Sequence, residues 1–412
     1  MSSTLWCEQA LLATGFASGV EIVVDAGSIV TVTEGVATPP TGAGLLAGVT
    51  LPGFANAHSH AFHRALRGRT HHGSGTFWTW RDQMYQLAEL LDPDTYEALA
   101  TATFAEMVLA GYTVVGEFHY LHHGPGGSPY ADHNEIGHRL LCAADRAGIR
   151  ITLLDACYLR GGIGAELAPV QRRFSDGSVA AWAHRVDALG EAMTARASVA
   201  ARLGAAVHSV RAVDPPGLVG VADWARRTGS VVHAHVSEQP AENDDCLAAY
   251  GCSPTELLAR HGVVSERFTA VHATHASGRD ARRLGAASAS CCICATTERD
   301  LADGIGPTVE LRDAGVGLCV GSDSHAVVDP FEETRAIELD ERLRSHRRGT
   351  HRPADLLTSA TANGYRSLGW DGGRIAPGAC ADLVTVGFDS PRLAGSDRRP
   401  IRGSGNRWRW RR

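Results

Sequence analysis

The chain has 412 residues, 39 basic side chains against 45 acidic ones and a formal net charge of -6. All 39 basic residues are arginine, which excludes a lysine Schiff base, a Walker-type phosphate loop and a carbamylated lysine bridging two metals. The modest acidity argues against nucleic acid as the main partner, and 44% hydrophobic with 20% charged residues is ordinary for a soluble globular enzyme.

Residues 1–50 read as short strands and turns, with β-branched segments at Glu21–Val24 and Ser28–Val32 on either side of Asp25-Ala26-Gly27. The opening residues lack the basic-then-apolar layout of a signal peptide. No apolar run is long enough to predict a membrane helix. The ten cysteines are scattered in a chain too large to need disulfide staples, so the cytoplasm is the expected compartment.

From residue 51 onward, brief apolar runs alternate with long Ala-, Leu- and Arg-rich helical stretches. The runs are Val49–Ala57, Thr113–Phe118, Ile149–Ala156, Gly204–Val210, Ser230–Val236, Phe268–Ala273, Ala289–Ala295 and Val316–Gly321. Eight apolar strands with helical connections predict a (β/α)8 barrel over 51–360, in the α/β class. Several runs end in His, Asp or Glu, and such barrels place their chemistry at the C-terminal strand ends. Cys291-Cys292-Ile293-Cys294 falls within the seventh strand, where cysteine behaves as a small buried hydrophobe. Thr296–Glu298 and Gly304–Pro307 read as a loop over the pocket.

Beyond the barrel, Thr361-Ala362-Asn363 opens a helical segment and Pro377–Val386 a turn and strand. Residues 1–50 and 361–412 together are expected to form a small β-sandwich-like domain. From Asp389 the chain turns Arg-rich and ends Arg407-Trp408-Arg409-Trp410-Arg411-Arg412, a tail expected to be disordered or incompletely folded.

His58-Ser59-His60 ends the first barrel strand, and residues two apart on a strand share a face, so both imidazoles can meet one metal. His233-Ala234-His235 ends the fifth strand and precedes Glu238, His272 ends the sixth, and Asp323 ends the eighth. Four such endings on one rim predict a mononuclear site for Zn2+, with Fe2+ compatible, and with a position open to water whose pKa the ion lowers.

These segments, together with Phe118–His123, His208–Val213 and His235–Gln239, resemble the amidohydrolase superfamily in its mononuclear deaminase branch. Within that branch they resemble the formimidoylglutamate deiminase family, over roughly residues 45–385. The resemblance implies one divalent ion on His58, His60, His235 and Asp323, with Glu238, His272 and Asp323 as acid–base groups. His235 fits the branch's H-x-x-E spacing to Glu238, whereas His233 is expected in the core. The implied reaction converts N-formimidoyl-L-glutamate to N-formyl-L-glutamate and ammonia in histidine degradation, and a homodimer is usual among relatives.

A dianionic substrate in a chain without lysine needs arginine. Arg211, three residues after His208, and Arg81 are the candidates, with Tyr120 and His208 as further hydrogen-bonding groups. His63 stands where the family commonly has glutamine, and is expected to touch substrate and to bring its own titration. Two rival readings are another deaminase of the branch acting on a purine, pyrimidine or triazine ring, and a non-enzymatic metal-binding scaffold.

Overall fold

The computed structural model describes residues 2–70, 74–196 and 198–394. The basic-aromatic end of the tail therefore lies outside the described residues. The chain opens with strands β1 (Ser3–Leu12), β2 (Gly15–Asp25), β3 (Ser28–Thr33) and β4 (Gly44–Pro52). With β13 (Leu383–Val386) they form a five-stranded sheet of order β13-β4-β1-β2-β3. Cys7, Ala10, Val20, Ile22, Ile29 and Ile375 give this sheet its own small core. The Asp25–Ser28 turn carries Ala26 at φ 47° and Gly27 at φ 76°, the positive-φ pair that suits a tight hairpin. The sequence showed that turn but missed β1, where Glu8 and Gln9 interrupt the apolar residues on a sheet whose surface is largely solvated.

The catalytic-sized body is an eight-stranded parallel sheet of order β12-β11-β10-β9-β8-β7-β6-β5. Its strands are β5 (Phe54–Ser59), β6 (Tyr112–His119), β7 (Arg150–Cys157), β8 (Ala201–Val207), β9 (Val232–Val236), β10 (Phe268–His272), β11 (Ser290–Ile293) and β12 (Gly317–Val320). Helices such as Pro93–Ala110, Glu135–Ala147 and Pro215–Thr228 connect them, giving the (β/α)8 arrangement. Both faces of each strand are covered, which is why the strands read as unbroken apolar runs.

One expected strand is corrected. Val49–Ala57 is not a single element: Val49–Leu51 pair with β13 in the small sheet, while Phe54–Asn56 pair with β6 in the barrel. Pro52-Gly53 makes the break, since proline has no N–H to continue a ladder. A second difference concerns the helical turns at 359–367. They pack on the N-terminal end of the barrel, where His233 Nε2 donates to Ser367 O at 2.9 Å and Asn363 Nδ2 donates to Leu318 O at 2.9 Å. Thr152 and Trp370 extend the same seam, and the chain then rejoins the small sheet, first where Gly378 and Ala379 bond Ile29 and then at β13.

The barrel closes between β12 and β5 through the residues that carry the expected ligands. Asp323 N donates to His58 O at 3.0 Å, and His60 N donates to Asp323 O at 3.2 Å. Asn56 supports this seam from behind, bonding Ser322 N at 2.9 Å and Ser322 Oγ at 2.7 Å. Gly321 makes the approach possible: a Cβ there would stand 2.8 Å from His58 Cβ. Beneath the rim, Ala57, Val271, Cys292, Cys294 and Cys319 fill the interior. Burial pushes the Cys292 and Cys294 thiols well up, so these cysteines are inert packing groups. Thr296–Glu298 are helical rather than loop, within Ala295–Asp300.

Candidate metal and catalytic site

Four donor atoms converge at the C-terminal rim. His58 Nε2 lies 3.1 Å from His235 Nε2, and His60 Nε2 lies 3.3 Å from the same atom. Asp323 Oδ1 stands 3.4 Å from His58 Nε2 and 3.5 Å from His60 Nε2. Donors held about 2.0–2.1 Å from a tetrahedral zinc ion are separated by roughly 3.3 Å, so the four residues fit such an ion. Their chemistry agrees. Burial holds His58, His60 and His235 below the ordinary histidine range, leaving neutral rings with free lone pairs. His60 Nδ1 donates to Phe118 O at 2.9 Å and His235 Nδ1 donates to His208 O at 2.8 Å. Those bonds fix the tautomer that leaves Nε2 for a metal. His233, by contrast, is a core histidine, as its bond to Ser367 shows.

The backbone is bent to bring these groups together. His272 sits at φ 68°, Ala273 at 51° and Asp323 at 43°, in the left-handed region that non-glycine residues seldom occupy. Such strain persists only where surrounding bonds over-determine it, and it concentrates at functional sites.

Around the tetrad lies the acid–base set. Burial raises the Glu238 carboxyl to about 7, within range of a group that holds and passes a proton near neutrality. His272 Nε2 is 3.5 Å from Glu238 Oε1 and 3.8 Å from Asp323 Oδ2. Burial alone would lower His272, but Glu238, Glu298 and Asp323 outweigh it and raise it to about 10. Burial likewise opposes ionisation of Asp323, yet His58 and His272 hold that carboxyl below the usual range.

Three residues of the site escaped the sequence reading. Glu298 Oε1 stands 3.3 Å from His272 Nδ1 and accepts from Cys294 N at 2.9 Å, so it orients the imidazole from behind. Glu117 accepts from Ser59 Oγ at 2.5 Å and from Ala61 N at 2.7 Å, clamping the His58-Ser59-His60 segment. Its signal was a lone carboxylate inside an otherwise apolar strand. Glu242 is fully buried, with Oε2 2.8 Å from Arg211 Nε and Oε1 accepting from Ser237 N at 2.9 Å.

The rim opens into a cavity lined by His60, His63, Arg81, Tyr120, His208, Arg211, Glu238 and Asp323 together with aromatic rings. Every expected substrate-contact residue therefore faces one space. Arg81 lies over Trp78 at 4.5 Å and its Nε is buried without a hydrogen-bond partner. Arg211 is less free than the sequence suggested. One edge meets Glu242, and Nη2 stands 3.6 Å from Glu238 Oε2. His63 Nε2 pairs with Tyr120 OH at 2.8 Å, and burial lowers its ring to about 3.

The residues of Phe118–His123 divide between two places. Phe118 and Tyr120 face the rim, whereas His119, His122 and His123 join a separate network with Asp155, Asp176 and Arg185. His119, His122 and Asp155 bring donor atoms within 4.8 Å of one another. Both Asp155 oxygens are already taken, at 2.7 and 2.9 Å by Arg185 and at 3.0 Å by Trp182 Nε1, so the guanidinium occupies the place of a cation. Arg185 also grips Asp176 at 2.9 and 3.0 Å. Arg185→Met strands two buried carboxylates and should cost about 3–5 kcal/mol of stability in denaturant melts, with the metal content of folded protein unchanged.

The amidohydrolase family model matches residues 49–404. The chain belongs to the amidohydrolase family. It is 36% identical over 406 residues to formimidoylglutamate deiminase of Pseudomonas aeruginosa, covering 96% of this chain and 88% of that protein. It is 30% identical over 355 residues to 8-oxoguanine deaminase of the same organism, covering 84% and 76%. Among solved structures, an amidohydrolase from Brucella melitensis superposes with a TM-score of 0.89 at 34% identity, covering 96% of this chain and 88% of the other. Among the described residues no helix is long and apolar enough to cross a membrane.

Proposed function

We propose that this protein hydrolyses N-formimidoyl-L-glutamate to N-formyl-L-glutamate and ammonia, a step of histidine degradation. The observation that carries this reading is the placement of two half-buried arginines, Arg81 and Arg211, in the same cavity as His60, His235 and Asp323 of the tetrad. The 36% identity to a formimidoylglutamate deiminase supports it.

A divalent ion on that tetrad, zinc by donor chemistry with ferrous iron compatible, would bring the pKa of a water close to neutrality. Asp323 Oδ2, turned toward His272, accepts the proton that the attacking water loses. Glu238, protonated in part near neutral pH, gives its proton to the imine nitrogen, recovers the one that Asp323 took from the water and passes it to the departing ammonia, while the hydroxyl of the intermediate returns a proton to Glu238 as the carbonyl forms. His272, held cationic among three carboxylates, orients the attacking water and stabilises the tetrahedral intermediate through the oxygen that the water supplies. Tyr120, His208 and His63 supply hydrogen bonds nearby.

The substrate's two carboxylates are assigned to Arg81 and Arg211. Guanidinium groups suit this role because they bind carboxylates in a bidentate fork and stay charged when buried. The unpartnered Arg81 Nε is a buried donor awaiting an acceptor.

Arg81→Met and Arg211→Met should each lower kcat/KM for N-formimidoyl-L-glutamate by about 10–100-fold, the loss of one charge-assisted pair. Bound metal should remain at the wild-type ratio. Arg211→Met also leaves Glu242 unpaired, so its melting curve is read alongside. Unchanged kinetics in both variants would overturn the assignment of the carboxylates.

A further inference from the structure

His63 is a third histidine at the rim, and its placement fits more than a substrate contact. It follows the His58-Ser59-His60 pair on a short 3-10 turn, Ala61–Leu66, which folds its ring back over His60 at 4.5 Å between centroids. One His63 ring nitrogen, one His60 ring nitrogen and one Asp323 oxygen lie within 4.8 Å of one another. His63 is 3% exposed. Its Nε2 is engaged by Tyr120 OH at 2.8 Å, while Nδ1 is buried with no hydrogen-bond partner. Buried polar atoms are nearly always satisfied, so an orphaned nitrogen on a ring packed against His60 signals a missing partner.

We propose that His63 is an additional protein ligand to the ion held by His58, His60, His235 and Asp323, raising the coordination from four protein donors to five in the substrate-free enzyme. The inference rests on the tetrad being a metal site. Two donors on opposite sides of one zinc-sized ion are about 4.2 Å apart, so a spacing within 4.8 Å needs only a small ring adjustment. Zinc and ferrous ions both accept five donors, and imidazole suits either. The bond to Tyr120 links this ligand to the substrate pocket.

Cobalt(II) reports coordination number through its visible absorption, so the test compares cobalt-loaded wild type, His63→Gln and Tyr120→Phe without substrate. The expected result is a weaker, higher-coordinate visible band in wild type and Tyr120→Phe, and a stronger band of lower coordination number in His63→Gln. Cobalt affinity by chelator competition should also fall about tenfold or more in His63→Gln, and less in Tyr120→Phe. Identical spectra and affinities in wild type and His63→Gln would overturn the proposal while leaving the tetrad intact. A shift of equal size in both variants would assign the effect to general disturbance of the pocket and overturn it too. Failure of wild type to bind cobalt would instead contradict the metal site itself.

Discussion

Glu238→Gln should lower kcat by about 10²–10⁴-fold while the protein keeps its fold and its metal, because proton transfer by a positioned side chain contributes on that scale. Glutamine fills the same space and keeps a hydrogen-bond acceptor but cannot release a proton. The carboxyl stands 3.5 Å from His272 Nε2 and 3.6 Å from Arg211 Nη2, so its geometry is held from two sides. Burial, the largest influence, lifts it to about 7. That value suits a group which must carry a proton to an imine and then to leaving ammonia. The check is steady-state kinetics with metal analysis on the same preparation. A variant with wild-type kcat would remove Glu238 from the chemistry, and one that lost its metal would mark it as part of the metal site's support.

The second large effect concerns the ion. Stripping metal with a chelator should abolish ammonia release, and restoring zinc or ferrous ion should return it. The tetrad also predicts a change in stability. Four donors, three of them neutral imidazoles, crowd within 3.1–3.5 Å of their neighbours. An ion that binds only the folded state adds about 2.7 kcal/mol when present at a hundred times its dissociation constant. The chelated protein should therefore melt at a lower temperature than the loaded one. Full activity after metal removal, verified by elemental analysis, would contradict the site as described.

How much of this was legible beforehand depends on the range of the interactions concerned. The barrel was readable because strands buried on both faces leave continuous apolar runs, as Arg150–Cys157 and Phe268–His272 do. The ligands were readable because a strand end is a local feature and the fold's chemistry gathers at one rim. β1 was not, because its outer face is solvated and its pattern irregular. Nor was the split of Val49–Ala57 between two sheets, although Pro52-Gly53 marked the point.

The supporting carboxylates were harder still. Glu298 becomes part of the site only because Ala295–Asp300 folds as a helix, which turns the side chain back to His272. Glu242 matters because the first turn of the helix Pro240–Tyr250 buries it against Arg211. Both contacts join residues 26 or more positions apart, a distance over which local pattern carries no information. The same holds for the division of Phe118–His123. Alternation on the strand sends Phe118 and Tyr120 inward, but only the distant Arg185 reveals what His119 and His122 serve. The absence of lysine had already limited the chain to arginine for any cationic grip, and the cavity shows where two of those arginines lie.

The most direct test is ammonia release by the purified, metal-loaded protein on a panel of N-formimidoyl-L-glutamate, guanine, 8-oxoguanine and adenosine. The expected result is stoichiometric N-formylglutamate and ammonia from the first compound, with kcat/KM at least a hundredfold above that for any ring. Turnover of a ring compound without turnover of N-formimidoyl-L-glutamate would contradict the assignment.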